Sequence, residues 1–250
     1  MNNTIFDIGM HNGTDTEFYL KKGFNVVAVE ANPALLEVCH EKFGEYIKSG
    51  QLVIIGKAIA GHEGDVSFYV FPNKDDWGGL HESWNTSMIP DNEKITVPSM
   101  TFDSILEEYG IPYYLKIDIE GSDILCLKAL AKYEAKPKYV SVEFLTPNNL
   151  SGEKVDALDL LCHLKALGYT KFLVSDQSKV SSSKCPNPSL EGESVDYDFG
   201  SFGSGVFGKD LEGTWMGLDE LAMHYLDYFY EGIESEFFHN DGWFDIHATT

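Results

Sequence analysis

Short apolar runs alternate along this chain with stretches whose apolar residues recur every three or four positions. The short runs are Thr4–Ile8, Asn25–Val29, Leu52–Ile55, Tyr113–Ile117, Tyr139–Leu145 and Tyr169–Ser175. They are rich in β-branched and aromatic residues and read as buried strands. Helical spacing falls between them. A first helix is expected over about 15–22, capped by Thr14 or Asp15 and stopped by Gly23. A second starts at Pro33 and runs to residue 48, with Leu35, Leu36, Cys39, Phe43, Tyr46 and Ile47 inward. Thr101 caps a third, closed by Gly110; a fourth covers Ser122 to Ala131, and a fifth Val155 to Leu167. Val66–Phe71 reads as an added strand and Ile95–Val97 as a short extended piece.

Strands alternating with helices predict an α/β fold, an open and mostly parallel sheet with helices on both faces. One domain over 1–250 is expected, with its core in about 1–175 and an extension over 176–250. In that extension, 176–203 reads as a loop rich in Ser, Gly and Pro, and Ser204–Phe207 as a last strand. Leu218, Leu221, Ala222, Tyr225, Leu226 and Phe229 describe a helix, and the aromatic tail from Trp243 to His247 is expected to dock on the body. Residues 72–94 show no period, and a loop that long is usually functional or mobile. Trp77 and Trp84 give it apolar faces with hydrogen-bonding edges, as a sugar-like substrate would want; packing on the surface explains them equally well.

Open sheets of this kind bind ligands at the carboxyl ends of their strands. Asp7, Glu30, Asp118, Glu120 and Glu143 all fall there, and charges near a buried sheet end need partners. Asp118 and Ser122 have a simpler reading as helix caps. The first thirty residues form strand, glycine turn, helix, strand, acid, which is the pattern of a nucleoside-binding unit. The turn reads Asp7-x-Gly9-x-x-x-Gly13, not the double-glycine fingerprint that cradles a pyrophosphate. An acid directly before the turn would repel a pyrophosphate and suits a cationic ligand, which favours S-adenosylmethionine (SAM) over NAD. Glu30, about 20 residues past the first glycine, is placed to accept hydrogen bonds from ribose hydroxyls.

Charge narrows the partners. The net charge is −22, and all 18 basic residues are lysine. A nucleic-acid binder needs a basic face, so nucleic acid is not expected. Without arginine there is no guanidinium fork, and heavily acidic substrates are disfavoured. Cys39, Cys126, Cys162 and Cys185 form no C-x-x-C pair, and three of them lie on apolar helix positions. That suits reduced core thiols in a cytoplasmic protein. With the first strand expected from Thr4, no signal peptide is expected, and no apolar run approaches a membrane span.

Two stretches together, Phe6-Asp-Ile-Gly-Met-His-Asn-Gly13 with Val29-Glu30, and Leu115-Lys-Ile-Asp-Ile-Glu-Gly121, resemble the FkbM-type family of SAM-dependent methyltransferases. The resemblance covers residues 4 to about 145, and Gly205-Val-Phe-Gly208 is similar to related sequences too. It implies a class I methyltransferase (Rossmann-like) fold and methyl transfer to a hydroxyl of a sugar, polysaccharide or other polyol-like acceptor, a small molecule or glycan. Carried over by position, it implies that Asp7, Gly9, Met10, His11, Asn12 and Gly13 hold the methionine end of SAM. Glu30 and Ala31 would lie at the ribose, Lys57 and Ala58 near the adenine, and Asp118 at the methyl group. The chain departs from the family at His11 and Asn12, and 180–250 has little that matches.

O-methylation needs an acceptor oxygen in line with the methyl group and a base for its proton. Asp118, Glu120 and Glu143 are the candidates, with His81 as a loop-borne outsider; Lys116 would pair with one carboxylate and hold it ionised. The same three acids offer the hard oxygen donors that Mg2+ takes. Two other functions compete: an NAD-linked oxidoreductase on a similar fold, and a non-catalytic carbohydrate-binding protein that kept the fold. Tight nicotinamide binding would mark the first, and failure to bind SAM the second.

Overall fold

The computed structural model describes residues 3–71, 78–80, 93–144, 157–201, 203–239 and 243–250. The described residues build a seven-stranded sheet and a three-stranded one. The main sheet contains β1 (Thr4–Ile8), β2 (Asn25–Val29), β3 (Leu52–Ile55), β7 (Tyr114–Ile117), β8 (Tyr139–Phe144), β9 (Lys171–Asp176) and β10 (Phe244–Thr249), in the order β3-β2-β1-β7-β8-β10-β9. β1, β2, β3, β7 and β8 pair in parallel, while β10 runs antiparallel to both β8 and β9. The chain winds outward from β1 through β2 to β3, then returns to place β7 on the other flank of β1. The reversal leaves a crevice at the carboxyl ends of β1 and β7, where ligands of open sheets sit.

The three-stranded sheet was not expected. β4 (Ala58–Ile59), β5 (Gly64–Val70) and β6 (Glu93–Met100) pair in the order β4-β6-β5, and β6 is longer than the short Ile95–Val97 piece. β5 also reaches Gly79 through a bridge at Tyr69. The rest of the expected 72–94 loop, with Trp77, His81 and Trp84, lies outside the described residues.

Helices occur where the periodicity places them, with altered ends. α1 is Thr14–Lys21, and its cap is Gly13, not Thr14 or Asp15. The Asn12 side chain accepts the Thr14 N–H instead, so Asp15 is released for another role. The expected second helix breaks at Phe43 into α2 (Pro33–Lys42) and α3 (Gly44–Ser49). α4 (Phe102–Tyr109) keeps its Thr101 cap; α5 is Ile124–Leu130 and α6 Ala157–Ala166. Before α5, the Asp123 carboxylate, not Asp118 or Ser122, gathers the turn's N–H groups, from Ile119 and Gly121. α7 (Leu218–Glu231) fulfils the expected last helix. Cys162 on α6 is exposed, unlike buried Cys39 and Cys126.

The two faces of the main sheet differ. One is apolar: Phe6, Ile8, Leu115, Ile117, Val140, Val142, Phe244 and Ile246 form one core with α4, α5, α6 and α7. The other face carries Asp7, Tyr114, Lys116, Ser141, Asp245 and His247, all buried. Their registers place Asp7 beside Lys116, Lys116 beside Ser141, and Ser141 beside His247. Over this face lie α1 and the segment 177–210. Ser204–Phe207 is extended but unpaired, so it is not the expected strand; Phe207 stacks on Tyr114 at 4.4 Å. The aromatic tail does more than dock: it is β10, inserted between β8 and β9.

Candidate active site

β1 ends at Ile8, and the chain turns at Gly9 with φ 91°. The Gly9 and Met10 N–H groups both donate to the Val29 carbonyl, which ties the turn to the end of β2. A Cβ on Gly9 would stand 1.8 Å from the Asp118 carbonyl oxygen, so only glycine lets the β1 and β7 ends come this close. Gly13, at φ 77°, faces the Phe43 ring, which a Cβ would strike at 2.4 Å. His11 is held at φ 49° and Glu120 at φ 52°, in a region that side chains avoid. Strained backbone of this kind concentrates at functional turns, and here both examples fall on the two loops that flank the crevice.

The predicted residues divide into those the crevice exposes and those behind it. Gly9, His11, Asn12, Ala31, Lys57, Asp118, Glu120 and Glu143 keep accessible surface; Met10, Gly13 and Ala58 are enclosed and shape the floor. Glu30 sits at the edge. Its Oε2 accepts the His11 N–H at 2.9 Å, and its Oε1 accepts those of Ala31 and Asn32 at 2.8 and 2.7 Å. Three donors fix this carboxylate and leave Oε2 with capacity for one more. Burial pushes it up to about 7 in spite of those donors.

Asp7 differs from the sequence expectation. It is 0% exposed. Its Oδ2 accepts the Thr16 hydroxyl at 2.6 Å, and its Oδ1 lies 3.7 Å from the Lys116 ammonium. It therefore stands behind the turn, between Thr16 and Lys116. Burial pushes its carboxyl up to about 6, against the pull of Lys116. Lys116 also lies 3.6 Å from Asp15 and 3.2 Å from Asp118. Burial pulls this ammonium down, but Asp118, Asp7 and Asp15 outweigh it and hold it well above its usual value. One fixed cation thus links the buried acids to the open one, since the Asp118 side chain is 40% exposed.

The structure brings Asp118, Glu120 and Glu143 together: one carboxylate oxygen of each lies within 4.8 Å of the others. Gly79, delivered by its bridge to β5, would set a Cβ 3.2 Å from that of Glu120, so the small sheet closes on this turn. Burial first, then Glu120 and Asp118, push the Glu143 carboxyl well above its usual range. Sequence reasoning missed Asp15, Asp123 and Asp245. Asp245 was legible in principle, because Phe-Asp-Ile-His-Ala-Thr alternates with the period of a strand. His81 lies outside the described residues.

A glycine turn, an acid after the second strand and carboxylates at the switch point of a sheet with one antiparallel inserted strand define a class I methyltransferase fold. Within that class, the Methyltransferase FkbM domain matches residues 7–171, and the chain belongs to this family. Among solved structures it is similar to the methyltransferase FkbM from Methylobacillus flagellatus KT, with 16% identity, 70% of this chain and 40% of that chain covered, and a TM-score of 0.46. This chain therefore matches less than half the length of that protein. A SAM-dependent methyltransferase from Archaeoglobus fulgidus is 11% identical over 100% of this chain and 86% of that one, with a TM-score of 0.45. A precorrin-6y C5,15-methyltransferase from Geobacter metallireducens GS-15 is 11% identical over 99% of this chain and 78% of that one, with a TM-score of 0.42. No curated protein matches the chain. Among the described residues, no helix is long and apolar enough to cross a membrane.

Proposed function

We propose that this chain is a SAM-dependent O-methyltransferase acting on a hydroxyl of a sugar, polysaccharide or similar polyol. The observation that carries this reading is the convergence of Gly9, Glu30 and Asp118 on one crevice. The fit to SAM rests on the tight Gly9 turn, which brings the ends of β1 and β7 together beside Glu30, and on the acids around it. When bound, SAM supplies a methyl group on a sulfonium. Glu30, with capacity left on Oε2, would hold ribose hydroxyls, and Gly9, His11 and Asn12 would border the amino-acid end. Ala31 and Lys57 flank the same opening and would border the base. Asp118 is the open carboxylate of the trio and would take the acceptor's proton or orient its hydroxyl. Lys116 holds Asp118 in place and keeps charge on this edge balanced. The net charge of −22 without arginine supports a neutral or cationic acceptor over nucleic acid.

Calorimetry with S-adenosylhomocysteine tests the reading. Binding on the order of micromolar is expected, weakened about tenfold or more, or about 1.4 kcal/mol, in Glu30→Ala. Asp118→Asn should keep that binding and lose methyl transfer to a polyol panel. Wild-type protein that ignores the ligand, or a Glu30→Ala variant that is folded and binds it equally, would sink the assignment.

A further inference from the structure

Asp118 and Glu120 come from the turn after β7, and Glu143 from the end of β8, so two adjacent parallel strands deliver three carboxylates to one point. Their nearest oxygens all lie within 4.8 Å of one another. Hard divalent cations hold carboxylate oxygens at about 2.0–2.6 Å, so oxygens on opposite sides of one ion stand roughly 4–5 Å apart. The trio's spread fits that span. Acids gathered at a surface would not by themselves make a site, but a second feature points into this one. Asp245 is the direct cross-strand partner of Glu143 in the β8–β10 register. It is 7% exposed, and among the described residues its side chain makes no hydrogen bond or ion pair. Directly opposed residues share a face with Cβ atoms about 5 Å apart, so the Asp245 carboxyl is aimed where that of Glu143 is. Glu143 Oε2 is enclosed and accepts no hydrogen bond among the described residues.

Burying two ionised acids opposite each other is unfavourable unless one is protonated or something positive stands between them. Lys116 acts on Asp245 as well, but it is shared with Asp7, Asp15 and Asp118 and stands within ion-pair distance of those three. We infer that Asp118, Glu120 and Glu143 form a site for a hard divalent cation of the Mg2+, Mn2+ or Ca2+ type, with Asp245 as the buried acid behind it. The donors are all oxygens, which disfavours zinc. Three protein ligands leave coordination positions open toward the crevice, where an acceptor hydroxyl could take one. Ion binding does not depend on methyl transfer; only that last role rests on the function proposed above.

The test is Mn2+ binding to the full-length, chelator-treated protein, followed by electron paramagnetic resonance and by competition with Mg2+. One Mn2+ per chain is expected to bind above the weak background of the acidic surface. Glu143→Gln should weaken that ion about tenfold or more. Asp245→Asn should weaken it less, and Glu45→Gln, on the exposed face of α3, should not change it. Each variant is checked by its urea midpoint; Glu143→Gln removes repulsion and should remain folded. Absence of a site in the wild type at millimolar Mn2+, or equal binding in folded Glu143→Gln, overturns the inference. S-adenosylhomocysteine binding measured on the same samples separates that failure from failure of the methyltransferase reading.

Discussion

At the scale of single residues, the site is built from backbone conformations that few side chains tolerate. Gly9 combines a left-handed φ with the approach of the Asp118 carbonyl, and both obstacles meet any replacement at once. Gly9→Ala is therefore expected to cost about 3–5 kcal/mol, from overpacking and an unfavourable φ together. Gly44, at the start of α3, has nothing within 4 Å of its missing Cβ. There Gly44→Ala should be neutral or stabilising, by up to about 1 kcal/mol. Urea denaturation of the two variants checks the contrast, and equal midpoints would refute it. The glycines, Glu30 and Asp118 were all legible in the sequence, because residue type and spacing alone mark a turn after a strand. The seclusion of Asp7 was not. Whether an acid at a strand end faces a ligand or a buried lysine depends on which residue lies beside it, and Lys116 is supplied by a strand more than a hundred residues away.

At the scale of elements, the loop expected over 176–203 is irregular beyond a 3-10 turn at Gln177–Ser182, as its composition implies, but composition does not show its burial. It covers the polar face of the sheet with Val180, Tyr197 and Phe199 in the core, joined by Val206 and Phe207 just beyond it. Lys22, at the end of α1, anchors it. The buried Lys22 ammonium donates to Asp210 at 3.0 Å, to Ser189 Oγ at 2.7 Å and to the Glu193 carbonyl at 3.2 Å. Asp210 also accepts the Leu190 N–H and the Ser189 hydroxyl. Lys22→Met would leave Asp210 enclosed without its cation, at a cost of about 3–5 kcal/mol. Limited proteolysis should then cut first within 183–201, and Lys22→Met with Asp210→Leu should recover much of the loss. A single variant as resistant and as stable as wild type would disprove the anchoring role. The expected second helix broke at Phe43 for a related reason: that ring packs against the Gly13 turn, and the chain bends there to place it.

At the scale of the whole molecule, burial of charge sets the response to pH. Burial lowers the His247 imidazole to about 4. A base depressed in the folded state contributes stability that is present above its unfolded value, near 6.5, and lost as pH falls toward 4. The loss approaches about 3 kcal/mol. Asp7 and Glu30, pushed up to about 6 and 7, act in the opposite sense: their contribution is present at low pH and lost as pH rises through those values. Burial likewise raises Asp15, Asp123, Glu143 and Asp245, so the raised acids outweigh the one lowered imidazole and wild-type stability should fall as pH rises from 4 to 6.5. His247→Asn removes one slope, so its stability relative to wild type should improve by about 3 kcal/mol as pH drops from 7 to 4. A difference constant with pH, measured by urea midpoints, would refute this. The sequence by itself determined the alternation of strands and helices, the glycine turn, the acid after β2 and the carboxylates after β7, because each is a local matter of period, turn chemistry and chain direction. Only the tertiary structure decided that the aromatic tail is a strand inserted between β8 and β9, that Asp245 opposes Glu143, and which acids are sealed in and which stand open. Those outcomes depend on pairing between segments far apart in the chain, and a buried polar residue in such a strand carries the same local pattern as one facing water.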